Sequence, residues 1–244
     1  MILQHHGIKG QRWGVRNGPP YPINKIRPKS IKAKAKSYKP TSNRPHTDYN
    51  LDKWGRTEDT NILYVTGISG SGKSTVAKDM ATKNNADLID LDLYTFKTAN
   101  KYNDRMSKSF NNFLDKEVPN WRSLQSDAYS ALTKTNRRAK PQVSEWFDTL
   151  EHALTNYGKS EYGKNKVVAE GVQVLDETLF YNNKKALRNK PLIVMDTSIE
   201  DSILSRSVRD NKSIDKLLEP ERRKQLEGWL RDKDILKKEM SDIK

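Results

Sequence analysis

The sequence predicts a three-layer α/β protein with a mainly parallel sheet of about five strands, a helical insert between strands two and three, and a C-terminal helix. Three observations predict it. Short apolar runs recur at 61–66, 86–90, 166–170 and 191–196, each the length of a buried strand. Helical periodicity fills most of the chain between and after them. A basic, proline-rich stretch over residues 1–55 lacks both patterns and reads as a separate tail before a domain at 56–244.

Composition supports that division. The chain has 244 residues, of which 34% are hydrophobic and 31% charged, enough for one medium domain plus a tail. The formal net charge is +14, and residues 1–60 hold 13 Lys+Arg against 4 Asp+Glu. Six of the ten prolines also lie there. A segment of this composition is expected to be largely disordered. It suits either a polyanion contact, such as nucleic acid, or a solvated linker. The absence of cysteine excludes a disulfide framework, a thiolate metal site and a cysteine nucleophile. No apolar run approaches the roughly 20 residues of a membrane span, and no apolar stretch resembling a secretory signal opens the chain. The expectation is a soluble, intracellular protein with no membrane partner.

The first strand, Asn61-Ile62-Leu63-Tyr64-Val65-Thr66, runs into Gly67-Ile68-Ser69-Gly70-Ser71-Gly72-Lys73-Ser74-Thr75. This fits the G-x-x-x-x-G-K-[ST] phosphate-loop pattern, with a strand before it and a helix expected from Lys73 to about Lys83. Gly67, Gly70 and Gly72 let the backbone turn tightly and aim its amides at phosphate oxygens. Ser69, Ser71 and Thr75 complete the nucleotide-binding stretch. The helix N-terminus adds partial positive charge. Lys73 is expected to reach the β- and γ-phosphates of ATP, and the Ser74 hydroxyl to ligate Mg²⁺.

Two later strands end in acids. Ala86-Asp87-Leu88-Ile89-Asp90 leads into Asp90-Leu91-Asp92, where ligands of an open parallel sheet bind. Asp90, ahead of Asp92, is expected to take a proton from an acceptor hydroxyl or to help hold the metal through water, although Asp92 also suits a helix cap. Lys166-Val167-Val168-Ala169-Glu170 places Glu170 where it can order the water shell of Mg²⁺. Between these strands, residues 94–165 have helical composition, with segments at about 99–117, 121–138 and 143–157. Arg105, Arg137 and Arg138 suit exposed positions better than phosphate contacts, and Trp121 and Trp146 suit packing better than base stacking.

The strand Pro191-Leu192-Ile193-Val194-Met195-Asp196 is followed by a helix capped by Ser198, with Ile199, Ile203 and Leu204 along it. Arg206 and Arg209, three apart, share a face and suit either a triphosphate and the charge that develops during transfer or a surface ion-pair stripe with Asp201 or Asp210. They open a lid-like segment at 205–224, in which 211–220 reads as a short mobile connection. A last amphipathic helix runs from Arg222 and Arg223 to about Lys238, with Leu226, Trp229, Leu230 and Leu236 as apolar contacts.

Residues 61–210 resemble the P-loop kinase group of nucleoside monophosphate kinases, uridine kinases, gluconate-type, polynucleotide and zeta-toxin-like kinases. The carriers are GISGSGKST at 67–75, DLD at 90–92, VVAEG at 167–171 and SRSVR at 205–209. The VVAEG strand resembles the uridine-kinase form; the Asp-x-Asp resembles the sugar-, polynucleotide- and zeta-type kinases, in which an aspartate there acts as base. The resemblance implies a P-loop NTPase fold and transfer of the γ-phosphoryl group of ATP to a hydroxyl or phosphate acceptor. No acceptor signature of the nucleoside monophosphate kinases stands in the insert. An NTPase working as a motor or switch is the alternative, and a virion-associated nucleotide-binding protein a third reading.

A second resemblance is shorter. His5-His6-Gly7-Ile8-Lys9-Gly10-Gln11-Arg12-Trp13-Gly14-Val15-Arg16 is similar to a tag on head-associated and toxin-like proteins of tailed bacteriophages. It implies a phage-encoded product in the host cytoplasm, or one associated with the virion. His5 and His6, without carboxylate or cysteine partners, make a weak metal site.

Overall fold

The computed structural model describes residues 31, 38, 44–95, 108–135, 141–161, 166–175, 179–180, 187–211 and 213–241. The tag at 5–16, the greater part of the tail, and Arg105, Arg137 and Arg138 lie outside them.

Five strands form one sheet in the order β1-β5-β2-β4-β3. They are β1 (His46–Tyr49), β2 (Ile62–Thr66), β3 (Asp87–Asp90), β4 (Val167–Glu170) and β5 (Leu192–Met195). The strands β5, β2, β4 and β3 run parallel, and β1 joins the β5 edge antiparallel. Every residue of β2, β4 and β5 is buried, as strands covered on both faces require. Side chains alternate between two cores. Leu63, Val65, Val168, Ile193 and Met195 pack with Trp54 and with Ala77 and Ala81 of α1 (Lys73–Lys83). Ile62, Tyr64, Val167, Ala169, Leu192 and Val194 face the larger core on the other side.

That larger core is built from α2 (Asp92–Thr95), α3 (Lys108–Glu117), α4 (Trp121–Thr135), α5 (Pro141–Tyr157), α6 (Ile199–Asp210), α7 (Ile214–Leu217) and α8 (Pro220–Ser241). Its centre is aromatic. Trp121 and Trp146 stack with centroids 6.3 Å apart, and the Trp146 indole N–H donates to the Tyr94 carbonyl at 2.8 Å. Both tryptophans are packing residues in this structure. Ser198 caps α6 by accepting from the Asp201 N–H at 3.1 Å.

Two expectations are corrected. The folded part begins before residue 56, because β1 lies in the stretch read as tail. Its sequence, His-Thr-Asp-Tyr, carries no apolar run, and as an edge strand it is half exposed. Pairing from His46↔Met195 to Tyr49↔Leu192 holds it instead. The connection at 211–220 contains α7, capped by Ser213 and anchored by buried Ile214 and Leu217. Among the described residues, no helix is long and apolar enough to cross a membrane.

Candidate active site

The site lies at the carboxyl edge of the parallel strands, where β2 gives way to the glycine loop 67–72 and then to α1. Gly70 and Gly72 have φ of 87° and 92°, a backbone conformation costly for residues with a Cβ. Space is also tight at both: a Cβ on Gly70 would lie 2.6 Å from the Arg206 stem, and one on Gly72 2.8 Å from that of Arg44. Gly67 abuts Met195 and the Ser71 hydroxyl.

The loop is held from outside through its carbonyls. The Thr197 hydroxyl donates to the Ser71 carbonyl at 2.8 Å, and the Ser202 hydroxyl donates to the Ser69 carbonyl. In a trans peptide the N–H points opposite to the C=O. The Gly70 N–H is therefore turned away from Ser202, and the Gly72 N–H away from Thr197. The Ser71 hydroxyl is buried without a hydrogen-bond partner. Lys73, the first residue of α1, is buried, while Ser74 and Thr75 are exposed at the same helix start.

The acids come from the neighbouring strands. β4 lies directly beside β2, with Val65 opposite Glu170, and β3 lies beside β4, with Asp90 opposite Glu170. Glu170 is buried and accepts a hydrogen bond from Ser74, and its Oε2 has no partner. Burial raises its pKa, against the pull of Lys73 and the Ser74 hydroxyl. Asp90 is pushed up to about 7 by burial and by the charges of Glu170 and Asp92, opposed by the Asp92 N–H, which donates to its Oδ1 at 2.9 Å, and by Lys73. Asp92 opens α2 and accepts from the Gln173 amide at 2.9 Å.

Arg206 lies against Gly70, with its Nε buried, lacking a hydrogen bond and 4.0 Å from the Asp210 carboxylate. Arg209 is more exposed and is engaged by Asp210 at 2.6 Å, while still feeling the charges of Asp92 and Glu170. The structure thus brings the loop, Lys73, Ser74, Asp90, Asp92 and Glu170 together, with Arg206 on the outer side of the loop and Arg209 held to its neighbour.

Several contributors escaped the sequence reading. Thr197 and Ser202 carry no motif and act on the loop only because β5 and α6 lie beside it. Gln173 follows Glu170-Gly171 closely, and its buried Oε1 has no partner. Arg44 belongs to the supposed tail. Among the described residues, no group of three or more His, Cys, Asp or Glu side chains is arranged to hold a metal. The Ser74 hydroxyl and the buried Glu170 carboxylate, whose Oε2 lacks a hydrogen bond, still suit a hard cation that keeps most of its waters.

This is an α/β protein with a mostly parallel sheet and a glycine loop that opens a helix beside buried acids. The chain matches the family described as Nephrocystin 3, N-terminal, over residues 46–187, more than half its length, and belongs to that family. The match starts at the first residue of β1, takes in the loop and all three acids, and ends before α6. No curated protein matches the chain.

Proposed function

We propose that the protein is an ATP-binding kinase with a P-loop NTPase fold, transferring the γ-phosphoryl group to a hydroxyl or phosphate acceptor: a nucleoside, a nucleotide or a nucleic-acid end. The observation that carries this reading is the arrangement of Lys73 and Ser74 on the first turn of α1, facing Glu170 and Asp90 on adjoining strands. The loop amides and Lys73 would hold the phosphates of ATP. Ser74 would ligate Mg²⁺, with Glu170 holding its water shell. The ion would supply charge neutralisation at the β- and γ-phosphates.

Asp90 supports transfer over simple hydrolysis. A carboxylate whose pKa is raised to about 7 is poised to accept a proton near neutral pH. Asp92, fixed by Gln173, keeps the second carboxylate in place beside it. Arg206 and Arg209 would offset charge on the transferring group after local movement of α6. Hydrolysis as a motor or switch is the second reading, since the same loop and Glu170 serve both chemistries. We further read the protein as phage-encoded, working in the host cytoplasm or with the virion, on the strength of the tag at 5–16, with the basic tail a contact for nucleic acid.

Label from γ-labelled ATP, followed into a panel of nucleosides, nucleotides, nucleic-acid ends, sugars and proteins, tests the assignment. Slow turnover on its own, accelerated by one acceptor that becomes labelled, is the expected result. Rapid acceptor-free release of phosphate would favour the motor.

A further inference from the structure

We propose that Arg44 is a positioning residue of the glycine loop, bracing it in its phosphate-ready shape from the N-terminal side. The inference rests on the nucleotide-binding reading above and assigns it a residue outside the motif.

Arg44 is rooted where the chain enters the sheet. Its own carbonyl accepts from His46 Nδ1 at 2.8 Å, and the next carbonyl, of Pro45, accepts from the Asp196 N–H at 2.8 Å. From there its stem crosses Gly72, passing where a Cβ would lie: 2.8 Å separates that point from Arg44 Cγ and 3.3 Å from Nε. The guanidinium then forks. Nη2 donates to the Ser205 hydroxyl at 2.9 Å, and Nη1 to the Tyr38 hydroxyl at 3.1 Å. Those two hydroxyls are themselves 2.8 Å apart. The residue is only 6% exposed.

The contact completes a pattern on α6. Ser202, Ser205 and Arg206 fall at i, i+3 and i+4, so they share one face of the helix. Ser202 engages the Ser69 carbonyl, Arg206 covers Gly70, and Ser205 holds the arginine that covers Gly72. One helix face thereby holds the Ser69 carbonyl and the side chains that lie against Gly70 and Gly72. A loop with three glycines loses much conformational freedom when it binds an anion, and a brace that removes this freedom beforehand strengthens binding. Arginine suits the task because one planar fork reaches hydroxyls on two separate segments, which a lysine ammonium does not reproduce.

The test uses the full chain and two probes, Mg-ATP and inorganic triphosphate with Mg²⁺, titrated by calorimetry into wild type, Arg44→Ala, Arg44→Lys and Ser205→Ala. Arg44→Ala should weaken both probes by about tenfold or more and by the same factor, and speed amide exchange at 69–73 but not in β2. Ser205→Ala and Arg44→Lys should weaken both by smaller factors. Loss of ATP binding with triphosphate binding intact would make Arg44 a nucleoside contact and overturn the proposal. Full affinity in Arg44→Lys would reduce its role to charge and overturn it too. If Arg44→Ala fails to fold, unchanged affinity in Ser205→Ala overturns it. Wild type that binds neither probe sinks the nucleotide reading itself, whereas wild-type binding with unaltered variants sinks only the brace.

Discussion

Asp90 and Glu170 are register partners on adjacent parallel strands, so two carboxylates are held side by side at the sheet edge that the glycine loop overhangs. Burial raises both pKa values, joined at Asp90 by the charges of Glu170 and Asp92 and at Glu170 by the charge of Asp92. Such an arrangement costs stability in the free protein and is relieved when a cation or a proton arrives.

The first consequence is a pH-dependent stability. Asp90 titrates near 7 in the folded protein and near the ordinary carboxylate value when unfolded. Between those values the folded state binds more protons, so stability falls as pH rises from about 4 to 7. Asp90→Asn should flatten this slope and stabilise the metal-free protein at pH 8 by on the order of 4 kcal/mol, with no gain at pH 4. Urea unfolding at a series of pH values measures it; equal slopes in the two proteins would refute it.

Glu170→Gln should separate folding from Mg²⁺ use. Removing a buried charge with an orphaned oxygen should leave the free protein as stable or more so. Mg²⁺-dependent tightening of ATP binding should drop by about tenfold, a loss of about 1.4 kcal/mol. Thermal melting and paired titrations with and without chelator give the two readouts. Undiminished Mg²⁺ dependence would remove Glu170 from the metal's surroundings.

Gly72→Ala is expected to destabilise the protein by about 1–3 kcal/mol, because the new Cβ meets both a φ of 92° and the Arg44 stem. Nucleotide affinity should fall with it. A neutral effect on chemical denaturation would show that the loop conformation is not the one described.

Asp196, just after β5, ties it to β1 and α8 by accepting from Thr47 and Lys237, each at 2.6 Å. Partial burial works against the ionised form, but these bonds prevail and hold the carboxyl below its usual pKa. Its contribution is therefore present above the ordinary carboxylate value and lost as pH falls through the depressed one. Lys237→Met should cost about 1 kcal/mol at pH 7 and less at a pH low enough to protonate the carboxyl. Denaturation at the two pH values measures this, and a cost independent of pH would contradict it.

The parts legible in the sequence are those with strong local pattern. β2, β4 and β5 are continuous apolar runs, and the loop between β2 and α1 has fixed glycine spacing. The helices α1, α5 and α6 begin and end near the expected residues, since capping by Ser198 and apolar periodicity are local signals. What could not be read depends on pairing in space. β1 is a polar edge strand defined by β5, not by its own residues. Thr197, Ser202, Gln173 and Arg44 gain their roles from the side-by-side placement of segments 81 or more residues apart, or from a tail that composition assigned to solvent.

The most direct test of the central claim is calorimetry of Mg-ATP binding to wild type and Lys73→Ala. The account predicts saturable one-site heat for wild type, reduced at least tenfold in affinity by the substitution, with both proteins folded by circular dichroism. Absence of heat from the folded wild type with any Mg-nucleoside triphosphate, or equal affinity in Lys73→Ala, would contradict it.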